Sequence, residues 1–159
     1  MSRAAILVII LALVAGCALG CSTGGSSEGA SGEGIEWMTD WTQALEKAQD
    51  EDKPLAIYFY TDVCPSCRKV EDSVFKDGEV GDFFNESFVS LKSNAGRSTL
   101  YKKYGISAVP TIVFSSPDGY EGSNEIARIT GAKPADEFVE VGQSVLDQWS
   151  GLTSTIQAP

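Results

Sequence analysis

The stretch Leu55-Ala-Ile-Tyr-Phe-Tyr-Thr-Asp-Val-Cys64-Pro-Ser-Cys67-Arg-Lys69 decides how the rest of the chain is read. Its first six residues are apolar or aromatic without alternation, the pattern of a central strand buried on both faces. Two cysteines separated by two residues follow at once. Such a pair serves as a working redox centre, as half of a metal site, or as an inert structural disulfide.

Composition narrows the choice. With 159 residues, 43% of them hydrophobic, the chain allows one domain of ordinary size with a real core. A net charge of −10 speaks against a nucleic-acid partner, which requires a basic footprint, and reads most plainly as solubility. Histidine is absent, which removes Ser-His-Asp and Cys-His catalysis and the commonest neutral metal ligand. A structural zinc ion needs four ligands, and a single CxxC supplies two, so no metal and no dissociable cofactor is expected. A structural disulfide competes with the redox reading, although so small a loop restrains little unfolded-chain entropy.

The case for chemistry at Cys64 is local. A cysteine at a helix N-cap meets unsatisfied backbone N–H groups and the positive end of the dipole. That environment lowers a thiol below its ordinary value near 8.5 and raises its thiolate fraction. Pro65 suits the first helical position, where a missing N–H costs nothing. Cys67 stands three residues on, at a spacing that lets it close a ring with Cys64. Asp62 would oppose a thiolate lying close to it, whereas Lys69 or Lys92 would favour one.

Outward from this stretch, elements alternate. Ile35–Met38 reads as a short edge strand, and Thr39 or Asp40 caps a helix with Trp41, Ala44, Leu45 and Ala48 on one face. Arg68–Phe75 is helical, ended by Lys76-Asp77-Gly78, and a short amphipathic piece spans Glu79–Asn85. Phe88–Lys92 is a strand, Ser98–Lys103 a helical turn, and Thr111–Phe114 pairs with Glu125–Thr130 as a hairpin. Lys133-Pro134 opens a last helix carrying Phe138, Val141, Val145 and Trp149. The order predicts an α/β domain with parallel strands, an antiparallel edge and helices on both faces of the sheet. The tryptophans read as core or rim.

The ends differ from this folded segment, which spans 35–150. Residues 1–16 carry one positive charge at Arg3 and an apolar run too short for a membrane-spanning helix, the form of a signal peptide. Val14-Ala-Gly-Cys17 resembles a bacterial lipoprotein cleavage signal, and Ala18-Leu-Gly-Cys21 is the alternative. Lipid on Cys17 or Cys21 would anchor the chain to a membrane. Residues 17–34 are Gly/Ser-rich with no large apolar side chain after Leu19, so a disordered tether reaching about 20 Å is expected. Residues 151–159, GLTSTIQAP, read as a flexible tail.

A buried strand running into Cys64-Pro-Ser-Cys67, then Tyr104-Gly-Ile-Ser-Ala-Val-Pro-Thr111, then Ile129-Thr-Gly-Ala-Lys-Pro134, resembles the thioredoxin superfamily. The spacing of Trp41, Ala44, Ala48 and Lys53-Pro54, with Phe75-Lys-Asp-Gly-Glu-Val80, is most similar to one branch. That branch holds the C-terminal periplasmic domain of the membrane-embedded thiol:disulfide interchange reductase. The resemblance implies a thioredoxin fold with a mixed sheet of four to five strands. It makes Cys64 the attacking thiol, Cys67 the resolving one, and Val109-Pro110 a cis-proline pair facing them and binding substrate. Lys92 falls where the family often keeps a lysine. The chain departs at Val63, where tryptophan is common, and at Tyr58, where many members carry a buried aspartate.

The expected function is therefore an envelope-facing, lipid-anchored thiol:disulfide oxidoreductase that reduces protein disulfides and draws electrons from an upstream membrane donor. Two alternatives stand beside it: a binding or adaptor module with idle cysteines, and a thiol donor for cytochrome or metal-centre assembly.

Overall fold

The computed structural model describes residues 34–118, 122 and 124–156, with side chains described through residue 150. Strand β1 (Leu55–Tyr60) is the spine, and its first five side chains are all buried. β2 (Val89–Asn94) runs parallel to it, with Tyr58 opposite Lys92. A parallel neighbour needs a crossover, supplied by α2 (Pro65–Ser73) and α3 (Gly78–Ser87). β3 (Thr111–Ser115) lies antiparallel on the other side of β1, and β4 (Glu125–Thr130) pairs with β3 to give the order β2-β1-β3-β4.

The two faces of the sheet bury different sets. Under α1 (Trp41–Asp50) and α4 (Leu100–Lys103), Leu55, Ile57, Phe59 and Leu91 pack with Ala44, Ala48 and Tyr104. Alanine at both contact positions of α1 lets that helix approach the strands closely. The Asp40 side chain accepts the Gln43 N–H at 2.9 Å and so begins α1 as a capped helix. On the opposite face α2, α3 and α5 (Ala135–Ile156) cover Ala56, Tyr58, Ile112 and Phe114 with Val70, Phe84, Phe138 and Val145. This is the expected thioredoxin fold, a four-stranded mixed sheet between helices.

Two expectations change. Ile35–Met38 is no edge strand, and only Met38 bridges Leu91. Its backbone is held elsewhere: the Ile35 N–H bonds Phe75 O at 2.8 Å and the Glu36 N–H bonds Asn85 Oδ1 at 2.9 Å. The segment therefore follows α2 and α3 before it reaches the sheet. At the other end α5 continues through Gly151 to Ile156, beyond the expected boundary at residue 150. The expected signal peptide, Cys17, Cys21 and nearly all of the tether lie outside the described residues. No helix among the described residues is long and apolar enough to cross a membrane.

Candidate active site

The site begins where β1 ends. Thr61 O accepts the Cys64 N–H at 3.3 Å, a turn that brings the chain from strand to helix in four residues. Cys64 is the N-cap of α2 in extended conformation, and its sulfur accepts the Cys67 N–H at 3.1 Å. Pro65 occupies the first helical turn beside it, so the rigid ring costs the helix no hydrogen bond. The Cα atoms of Cys64 and Cys67 are 5.3 Å apart and the two sulfurs form a disulfide. Ser66 Oγ lies 3.3 Å from Cys64 Sγ, a second donor for that sulfur. Cys64 keeps 8% of its surface open and Cys67 only 1%, so an incoming partner reaches Cys64 first.

A second loop closes over the dithiol. The Val109–Pro110 peptide is cis, and Val109 O stands 3.8 Å from Cys64 Sγ, within reach of an S–H on the reduced thiol. The loop is fastened from both ends: Thr111 Oγ1 donates to Ala108 O at 2.9 Å, and the Gly131 N–H donates to Pro110 O at 2.8 Å. Gly131 has φ +88°, a conformation that favours glycine, which accounts for the Thr-Gly-Ala run after β4. On the outer side Val63 is 85% exposed and presents an isolated apolar side chain next to Cys64.

Behind the cysteines lies a cluster that combines rings and charges. Tyr58 is wholly buried between Trp37, Tyr60 and Phe75, with ring centroids 4.8–5.6 Å away. Burial pushes its phenol far above the ordinary tyrosine range, and the Glu71 carboxylate adds to the shift. The hydroxyl has no partner in hydrogen-bonding geometry, although Glu71 is close enough to act on it electrostatically. Lys92 pairs with Glu71 at 2.9 Å, and its ammonium stands 4.4 Å from the Tyr60 ring centroid and 5.7 Å from that of Tyr58. Lys92 is thus tied to the redox helix through Glu71.

The loop before Cys64 has its own clamp. Asp62 accepts from Asn94 Nδ2 at 2.9 Å and from Arg97 Nη2 at 2.7 Å, which links it to the turn after β2. Its charge, which alone would oppose a thiolate, is answered by Arg97 rather than by Lys69.

Cys64, Pro65 and Cys67 lie at the start of α2, Val109 and Pro110 on the loop before β3 with Val109 O against Cys64, and Lys92, within β2, reaches the same helix through Glu71. Glu71, Asn94 and Arg97 were not foreseen. Glu71 carried a signal, since Cys64, Cys67 and Glu71 fall at spacings of three and four on one helical face. Arg97 carried none, because it meets Asp62 across 35 residues from a loop.

A buried cysteine pair at a helix start, a cis-proline opposite and a four-stranded mixed sheet define a protein of the thioredoxin class. Residues 41–146 match the family model of a thioredoxin-like domain, and the chain belongs to that family. A thioredoxin from Thermus thermophilus superposes with a TM-score of 0.66 at 23% identity, over 79% of this chain and 98% of that one. A candidate disulphide-isomerase from Bacteroides thetaiotaomicron gives a TM-score of 0.61 at 33% identity, over 72% and 94%. In sequence, the thiol:disulfide interchange protein DsbD of Yersinia pestis is 32% identical over 99 residues, covering 58% of this chain. That match is only 16% of the Yersinia protein's length, so the chain corresponds to one part of it.

Proposed function

We propose that this chain reduces disulfides of protein clients through Cys64 and Cys67, on the outer side of a bacterial membrane. The observation that carries the reading is the asymmetry of the pair: Cys64 is reachable at the helix cap and Cys67 is sealed three residues behind it. In the reduced protein the Cys64 thiolate attacks one sulfur of the client disulfide. The client's other sulfur leaves as a thiolate and takes up a proton, and a mixed disulfide remains. Cys67, as its thiolate, then attacks Cys64 Sγ and frees the second client sulfur. The client gains two electrons, and Cys64–Cys67 becomes the disulfide.

A membrane dithiol donor would return the pair to its reduced form by the same exchange run in the opposite sense. Val109 and Pro110 present backbone beside the sulfur, to which an extended client segment pairs as an added strand. Lys92 supports the helix through Glu71. No dissociable cofactor enters any step. The reducing direction and the location draw on the similarity to the DsbD proteins. The lipid anchor draws on the Val-Ala-Gly-Cys17 sequence, with Cys21 in reserve.

The test is a pair of variants. Cys64→Ser is expected to abolish reduction of a model protein disulfide such as that of insulin, and full activity in this variant would refute the assignment. Cys67→Ala is expected to accumulate mixed disulfides with clients, which identifies them directly. Mass analysis of the mature N-terminus decides between Cys17, Cys21 and no lipid.

A further inference from the structure

Charge is unevenly compensated around the redox helix. The chain carries a net charge of −10, yet the carboxylates on α2 and just before it are each matched by a cation. Asp62 pairs with Arg97, Glu71 with Lys92 and Asp72 with Lys76. Two cations of the same helix are left over. Arg68 and Lys69 are exposed, and among the described residues neither side chain meets a carboxylate, a hydrogen-bond acceptor or an aromatic ring. They follow Cys67 directly, and Arg68 stands one turn past Cys64, whose carbonyl accepts its N–H at 3.2 Å.

Beside Lys69 a groove of about 460 Å³ runs between the flank of α2 and Ala132–Ala135, the segment next to the Gly131 that fastens the cis-proline loop. No carboxylate lines it, and the Lys133 at its far wall is held by Glu137 at 2.9 Å. Asp136 and Glu140 line a separate depression that shares only Pro134 with the groove.

Resting on the disulfide-reductase reading, we infer that Arg68 and Lys69 select client disulfides that have acidic residues beside them. At physiological ionic strength charges separated by more than about 8 Å are largely screened, so a segment arriving at Cys64 responds to the local cations and not to the acidic surface elsewhere. At about 1.5 Å of rise per residue, Arg68 and Lys69 stand roughly 6 and 8 Å along the helix from Cys64. An extended client advances about 3.3 Å per residue, which brings carboxylates two or three residues from its cysteine to these side chains. The guanidinium fork of Arg68 accepts a carboxylate bidentately, and Lys69 supplies a second positive charge at the mouth of the groove. The exchange is unchanged: two electrons pass from the Cys64–Cys67 dithiol to the client disulfide.

The test compares three disulfide-cyclised peptides that differ only in two residues placed two and three positions from one cysteine: aspartates, asparagines or lysines. Each is reduced by the reduced full chain at about 0.15 M salt, and each rate is divided by the rate with dithiothreitol to remove intrinsic reactivity. The aspartate peptide is expected to react about tenfold faster than the asparagine peptide, about threefold for each exposed cation, and the lysine peptide slowest. Arg68→Gln with Lys69→Gln should bring the three rates together, and Arg68→Glu with Lys69→Glu should invert their order. Any effect of these charges on the Cys64 thiolate slows all three peptides alike and cancels in the ratios, and turnover of the asparagine peptide shows that each variant is folded. Equal rates for the three peptides with the unaltered chain, or an aspartate preference that survives both double substitutions, would overturn the proposal and leave the reductase reading standing. Failure to reduce any of the peptides would overturn both.

Discussion

Tyr58 and Tyr104 are buried phenols on opposite faces of one sheet, and their hydroxyls are treated in opposite ways. Tyr104 sits under α1 and α4 with its hydroxyl 3.2 Å from Ser115 Oγ, packed against Phe59 and Trp41. Tyr58 sits under the redox helix with no hydrogen-bond partner and an anionic neighbour in Glu71. A buried polar atom without a partner costs free energy that an ordinary core does not tolerate. The face that only holds the domain together satisfies its phenol. The face that carries Cys64 and Cys67 does not, and it also accommodates the Lys92–Glu71 pair among aromatic rings.

The largest effect belongs to the structural face. Phe59 is fully buried there, and Phe59→Ala is expected to lower stability by about 3–5 kcal/mol through lost burial and a residual cavity. Chemical denaturation measures it. The folded fraction of the variant should still alkylate the reduced Cys64 at the wild-type rate, because Phe59 faces away from α2. A matching loss of reactivity would mean that the two faces are not separable.

Alkaline pH acts on both phenols. Each is raised by burial, and in Tyr104 the Ser115 bond offsets that only in part. The folded state therefore holds both protons more tightly than the unfolded chain, whose tyrosines ionise near pH 10. Their contribution is whole below about pH 10 and is lost as pH rises beyond it, for the more strongly shifted Tyr58 at a limiting slope of about 1.4 kcal/mol per pH unit. Tyr58→Phe should remove one such share from the slope of stability against pH between 10 and 11. An unchanged slope would show that Tyr58 ionises at its ordinary value.

At neutral pH the same two positions should respond with opposite signs. Tyr104→Phe removes the bond to Ser115, whose hydroxyl keeps its own bond to Ser116 O, and is expected to cost about 1 kcal/mol. Tyr58→Phe deletes a buried hydroxyl whose one polar neighbour, Glu71, lies outside good hydrogen-bonding geometry, and is expected to be neutral or to stabilise by about 1 kcal/mol. Loss of stability in Tyr58→Phe would mean that the hydroxyl does bond Glu71 in solution, and the contrast between the faces would narrow.

How much of this was legible beforehand follows the range of the interactions. β1, the helix after Cys64 and the hairpin after Pro110 are written in local patterns of burial, capping and turns, and they appear where those patterns put them. The cysteine pair was legible in its spacing and cap position, whereas the cis-proline at Val109–Pro110 was implied by the family resemblance. Ile35–Met38 was misread because extended backbone looks alike whether its partner is a strand or, as here, Phe75 O and Asn85 Oδ1. The role of Glu71 depends on the register that sets Lys92 beside Tyr58, which only the paired strands define. Asp62 and Arg97 meet through two loops, and no periodicity links loops.

That last contact supplies the smallest prediction. Asp62 and Arg97 are both largely exposed, with 56% and 77% of their side chains open, so their ion pair is screened. A double-mutant cycle with Asp62→Asn and Arg97→Ala should return a coupling of about 0.2–1 kcal/mol that shrinks in high salt. Its consequence for the chemistry is more telling than its size. Without Arg97 the Asp62 carboxylate faces the Cys64 loop uncompensated, and a like charge there opposes the thiolate. Arg97→Ala alone should slow alkylation of the reduced Cys64 by about twofold, the order of a screened charge at short range. Asp62→Asn with Arg97→Ala should restore the rate, since the offending charge has gone. If the double variant stays slow, Arg97 acts by shaping the loop and not by its charge. The polar surroundings of the dithiol would then be structural on this side, as they are under α1.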